Sequence, residues 1–109
     1  MALAPEQPAA LTVSDRWDGR VATVTVRGEI DVSTADILSD RLDDLARQDP
    51  ERLVIDLAEV GFMDSSGLQA MLRVRAALPG DRPVVIRSPP RQARDVFNLT
   101  GLSSQFIFE

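Results

Sequence analysis

Residues 53–78 read LVIDLAEVGFMDSSGLQAMLRVRAAL. The segment opens on a short apolar run, Leu53-Val54-Ile55-Asp56-Leu57, of the kind a central strand buried on both faces requires. It closes on residues 68–78, where Leu68, Met71, Leu72 and Ala76 recur at helical spacing. Pro79-Gly80 then stops the helix, and Ser66 with Gln69 fits a capping box at its start. Between strand and helix lies Val60-Gly61-Phe62-Met63-Asp64-Ser65-Ser66-Gly67. A buried strand leading through a short connection into a helix is half of a parallel crossover, so the stretch predicts an α/β fold.

The flanking sequence extends this pattern. Upstream, residues 11–15 alternate apolar and polar, Trp17-Asp18-Gly19-Arg20 supplies a turn, and residues 21–27 alternate again with Ala22, Val24 and Val26 on one face. Gly28-Glu29-Ile30-Asp31 closes this second strand of a hairpin. Ser33 with Asp36 resembles a helix-start cap, and Ala35, Leu38, Leu42, Leu45 and Ala46 form an apolar stripe over a helix predicted at 34–48. Pro50 ends it. Downstream, Val84-Val85-Ile86 is another buried strand. Ser88-Pro89 opens a third helix with buried Ala93, Val96 and Phe97, Gly101 suits a left-handed cap, and Phe106-Ile107-Phe108 is a closing edge strand. Residues 1–9 read as a mobile tail and 10–109 as one domain.

Composition removes most enzyme chemistry. The 109 residues contain no Cys, His, Tyr or Lys, and all 12 basic residues are Arg. Disulfides, thiolate metal sites, Ser-His-Asp triads and Ser-Lys dyads are therefore excluded. The expectation is a protein that is not an enzyme and needs no cofactor and no metal. Asp31, Asp56 and Asp64 are the candidate oxygen ligands for a hard cation, and Asp56 reads better as a strand-end or capping residue. A net charge of −5 disfavours nucleic acid and anionic membranes as partners. No apolar run reaches a membrane span and the start lacks the pattern of a signal peptide, so a cytoplasmic location is expected.

The local chemistry concentrates at Asp64-Ser65-Ser66-Gly67, where a helix start offers unpaired N–H groups and a favourable dipole to an anion such as phosphate. The glycine leaves room for a partner to approach. Two readings stand side by side. In one, Ser65 and Ser66 merely cap the helix. In the other, a serine is the substrate of a catalyst brought by another protein, because the chain holds no base to make it a nucleophile. Elsewhere, Trp17 reads as packing at the hairpin end. The run Arg41, Asp43, Asp44, Arg47 reads as a solvated face or a contact surface, and Arg91 and Arg94 pair with acids or face a partner.

Four blocks carry a resemblance: Gly28-Glu29-Ile30-Asp31, Leu53-Val54-Ile55-Asp56-Leu57, Phe62-Met63-Asp64-Ser65-Ser66-Gly67-Leu68 and Val96-Phe97-Asn98-Leu99-Thr100-Gly101-Leu102. In this order they resemble the STAS domain and, more narrowly, the bacterial anti-sigma factor antagonists. The resemblance implies one α/β STAS-like domain, a mixed central sheet with helices packed mainly on one face. It implies that Ser65 is phosphorylated by an anti-sigma factor with serine kinase activity. The unphosphorylated form would bind that factor and release a sigma factor, and a serine phosphatase acting on the phosphorylated form would restore the unphosphorylated one. Asp31, Asp64, Ser66, Gly67 and Gln69 are the partner-binding residues it implies, Ser66 being also a second candidate for modification. Gln69 stands where many members carry glycine. A monomer is expected in isolation. The alternative is an accessory subunit of a transport complex that contacts an ATPase, and such modules often lack the serine.

Overall fold

The computed structural model describes residues 11–109, so the tail expected over 1–9 lies outside the described residues. Strands β1 (Leu11–Asp18) and β2 (Val21–Ile30) form an antiparallel hairpin, paired from Leu11↔Gly28 to Asp18↔Val21. Trp17 and Asp18 belong to the strand and not to the turn: Trp17 lies opposite Ala22 and packs against the core. The reversal is left to Gly19-Arg20, where Gly19 takes a φ of 60° that favours glycine.

After the hairpin, strands and helices alternate: α1 (Ala35–Arg47), β3 (Arg52–Met63), α2 (Ser65–Ala77), β4 (Val84–Arg87), α3 (Arg91–Leu99), a 3-10 turn (Ser103–Gln105) and β5 (Ile107–Phe108). The sheet order is β1-β2-β3-β4-β5, antiparallel at β1 and parallel throughout the rest. Each crossover therefore steps one place in the same direction. Right-handed crossovers of that kind carry successive helices over one face. Beneath them, Ala22, Val24, Leu53, Ile55 and Ile86 of the sheet meet Leu38, Leu42, Leu45, Met71 and Phe97 of the helices, all essentially inaccessible. Each such large side chain contributes about 1.5–3 kcal/mol on burial. The fold class is the mixed sheet with three helices that the sequence predicts.

Several boundaries differ from those expectations, for local reasons. β3 runs to Met63, well beyond Leu57. Two register shifts against β2, between Thr25 and Arg27 and between Gly28 and Glu29, each give β3 one extra residue. A bulge flips the face that follows it, so Leu57, Val60 and Met63 are buried at intervals of three. The Ser66/Gln69 box does not form, because α2 begins at Ser65 and Asp64 is its N-cap. Ala70 and Val74, not Ala76, complete the buried stripe of α2. At α1 the Ser33/Asp36 cap is replaced by bonds from Ser33 to Asp31, with Thr34 as the N-cap residue. At α3 both prolines precede the helix, Pro90 being the N-cap residue.

The charged face of α1 is partly spent on neighbours. Arg41 pairs with Asp15 of β1 at 2.6 Å and Asp43 with Arg73 of α2 at 3.0 Å. Exposed pairs of this kind contribute about 1 kcal/mol or less, so they orient helices more than they stabilise them. Arg94, undecided from the sequence, lies 3.7 Å over the ring of Phe108.

Candidate functional site

Two connections meet at the C-terminal edge of the parallel strands, the region where open α/β sheets place their sites. The Asp64 amide donates to the Ile30 carbonyl at 3.1 Å, which fixes the β3–α2 junction beside the β2–α1 connection.

In the first connection, Asp31 makes a tight local turn. Its carboxylate accepts the Ser33 N–H at 2.9 Å and the Ser33 hydroxyl at 2.6 Å. Thr34 is buried, and its Oγ1 accepts the Asp31 N–H at 2.9 Å and donates to the Glu29 carbonyl at 2.7 Å. The Ser33 hydroxyl, then the Ser33 amide and the Thr34 groups, hold the Asp31 carboxyl below its ordinary 3.8 against an opposing desolvation. A lowered carboxylate means the unfolded chain takes up the proton first. The stabilisation is thus present above the ordinary value and lost as pH falls through the folded one. The melting temperature should accordingly hold steady above about pH 5 and fall below about pH 4. Asp31→Asn should flatten that acid limb in thermal melts; an unchanged limb would remove Asp31 from the account.

In the second connection the two serines part company. Ser66 donates its N–H to Asp64 Oδ1 at 2.8 Å and its hydroxyl to the same oxygen. Asp64 thereby satisfies an orphan amide of the first turn, as a helix cap does. Ser65 is exposed, and its hydroxyl has no hydrogen-bond partner among the described residues. Gly67 is buried and faces inward. A Cβ there would stand 2.8 Å from Ile30 Cγ2 and 2.8 Å from Met63 Cγ. The space it leaves is filled from within the chain, which corrects the expectation that it makes room for a partner.

A shallow groove of about 450 Å³ runs between α1 and α2. Ser65, Gln69 and Arg73, one turn apart along α2, form one wall. Val32, Ala35, Asp36 and Ser39 form the other. Val32 is 82% exposed, an unusual position for an aliphatic side chain. The structure thus brings Ser65, Ser66 and Gln69 together in the groove and leaves Asp31 and Asp64 outside its lining. The acid facing the serine across the groove is Asp36, which the sequence reading missed. Its place depends on how α1 lies beside α2, which the pattern within either helix does not give.

Chemically, the site presents the exposed Ser65 hydroxyl, and the sequence holds no His or Lys to activate it. Asp31, Asp64 and Asp56 each turn to a local partner, Asp56 to the Ala58 N–H at 2.9 Å. Among the described residues no three acids, cysteines or histidines gather to hold a cation. No helix among them is long and apolar enough to cross a membrane.

The sequence and the fold have known counterparts. The curated relative RsfB of Mycobacterium tuberculosis, an anti-sigma-F factor antagonist, is 36% identical over 64 residues, covering 59% of this chain and 52% of the relative. The chain thus matches about half the length of that relative. The crystal structure of an anti-sigma factor antagonist from Mycobacterium paratuberculosis superposes with a TM-score of 0.84 at 30% identity, covering 96% of this chain and 87% of the other. Unphosphorylated SpoIIAA shares the fold with a TM-score of 0.77 at 19% identity, over 90% of this chain and 88% of its own. The family model described as Mlab, STAS domain, matches residues 13–108, and with the sheet order and paired helix starts described above this chain belongs to the STAS domain family.

Proposed function

We propose that the chain is an anti-sigma factor antagonist switched at Ser65. Unphosphorylated, it binds an anti-sigma factor that is also a serine kinase, and a sigma factor is released. The kinase transfers the γ-phosphoryl group of ATP to Ser65 Oγ, ADP leaves, and a base of the kinase takes the hydroxyl proton. The phosphorylated form lets go, and a serine phosphatase hydrolyses the ester.

One observation carries the choice of residue: of two adjacent serines, Ser65 offers an exposed hydroxyl with no partner among the described residues, while that of Ser66 is bound to Asp64. The likeness to the two mycobacterial antagonists supports the partner class. Bacillus SpoIIAA, solved in a phosphorylated form that shares this fold with a TM-score of 0.70, supports a fold that tolerates the phosphate. Ser65 opens α2, where the dipole offsets part of the added charge. Gln69, Asp36 and Val32 supply the surrounding contact surface, and Asp31, Asp64 and Gly67 shape it from behind.

Incubation with the anti-sigma-F factor and Mg-ATP should add one phosphoryl group, mapped to Ser65 by peptide mass spectrometry. Ser65→Ala should abolish it and Ser66→Ala should not. A phosphate found on Ser66, or on neither, would end this reading.

A further inference from the structure

β3 overhangs β4. Its last residue paired with that strand is Asp56, opposite Arg87, yet β3 continues to Met63. On its other side β2 keeps pace as far as Ile30↔Met63. In a parallel ladder, successive residues turn their backbone groups to opposite sides. The Asp64 N–H turns toward β2, where Ile30 accepts it, so the Met63 N–H and C=O turn to the side that β4 has vacated. Unpaired backbone groups at a partly buried position are costly.

Gln92 of α3 answers both. Its Oε1 accepts the Met63 N–H at 2.8 Å, and its Nε2 donates to the Met63 carbonyl at 2.7 Å. One side-chain amide takes the place of a strand residue and ties α3 to the backbone two residues before Ser65.

We infer that Gln92 is a positioning residue for Ser65, holding 63–65 in register so that the hydroxyl meets its phosphoryl donor in one orientation. This rests on the reading of Ser65 as the acceptor. The Ser65 hydroxyl has no partner among the described residues, so its placement is set by the backbone beneath it. That backbone has two lateral ties, Ile30 on one side and Gln92 on the other. Phosphoryl transfer depends on such placement, and a displacement of about 1 Å can lower a rate by about a hundredfold. Gln92 does not line the groove between α1 and α2. Its loss should therefore slow turnover and spare partner binding, whereas a general loosening of the fold would affect both.

The test uses the full chain, the mycobacterial anti-sigma-F factor as kinase and Mg-ATP. Gln92→Leu, which keeps the bulk and removes both bonds, should lower kcat about tenfold and leave KM within about twofold. Hydrogen exchange at the Met63 and Asp64 amides should accelerate while that of Ile55 stays unchanged. Gln92→Glu keeps the acceptor and loses the donor, so it should fall between the two. If Gln92→Leu does not fold, Gln92→Glu decides by the same readouts. Wild-type kcat in the folded variants, or a change confined to KM, overturns the role of Gln92. A wild type that acquires no phosphate on Ser65 overturns the acceptor reading itself, and this inference with it.

Discussion

Ser65→Asp will weaken binding to the anti-sigma factor by about a hundredfold or more, equivalent to about 2.8 kcal/mol. Ser65→Ala will bind as tightly as the unphosphorylated chain. The serine faces Asp36 across a shallow groove. Two unit charges, if held about 6 Å apart, repel by about 0.7–2.8 kcal/mol for effective dielectrics of about 80 to 20. In the free protein, water and the α2 dipole absorb most of this, the dipole alone offsetting about 0.3–1 kcal/mol. In a closed interface the water is gone and an unpaired charge costs several kcal/mol. The melting temperature should therefore move by only about 2–4 °C, the shift that about 0.5 kcal/mol gives a domain of this size. Titration of both variants against the anti-sigma factor, with thermal melts alongside, checks the pair. Equal affinities for Ser65→Asp and Ser65→Ala would show that charge at this position is not the control.

Gly67→Val will cost about 3 kcal/mol of stability, the upper end for overpacked cores. This corresponds to a fall in melting temperature of about 12–24 °C. The Cβ alone would sit 2.8 Å from side-chain atoms of Ile30 and Met63, both fully buried. Ile30 is β-branched and stiff, and the Met63 backbone is held by Gln92, so neither yields freely. Replacing glycine in a helix returns about 1 kcal/mol, which makes Gly67→Ala milder and the valine variant the sharper test. Gly61 provides the comparison, since nothing lies within 4 Å of a Cβ built there. Gly61→Ala should leave the melting temperature close to wild type. If Gly67→Val melts with it, the first turn of α2 is not packed as described.

The sequence disclosed most of the fold because most of it follows simple periods. Leu38, Leu42 and Leu45 keep helical spacing, Ala22, Val24 and Val26 keep strand spacing, and all six are buried. The far half of β3 escaped notice because its two bulges turn the period of two into a period of three. Leu57, Val60 and Met63 therefore look like a connection. The start of α2 was ambiguous for another reason. Asp64, Ser65 and Ser66 are all good caps, and only the observed bond from Ser66 to Asp64 tells them apart. Ser65 itself was legible from its neighbours in the chain. Its surroundings were not, because Asp36 comes to the groove, and Gln92 to the Met63 backbone behind it, through tertiary structure. The Gln92–Met63 bonds span 29 residues, and no local pattern announces them.

The strand order has a consequence for how the molecule is made. Because β1 to β5 lie side by side in the order of their synthesis, each unit joins an edge that already exists. No late segment has to be threaded between early ones, and each closure spans a single strand-helix-strand connection, which keeps its entropic cost small. The sheet can grow outward from the hairpin as the chain leaves the ribosome. The tie from Gln92 to Met63 forms only after α3 has been translated, so a nascent chain completes the support behind the Ser65 turn at the end of assembly.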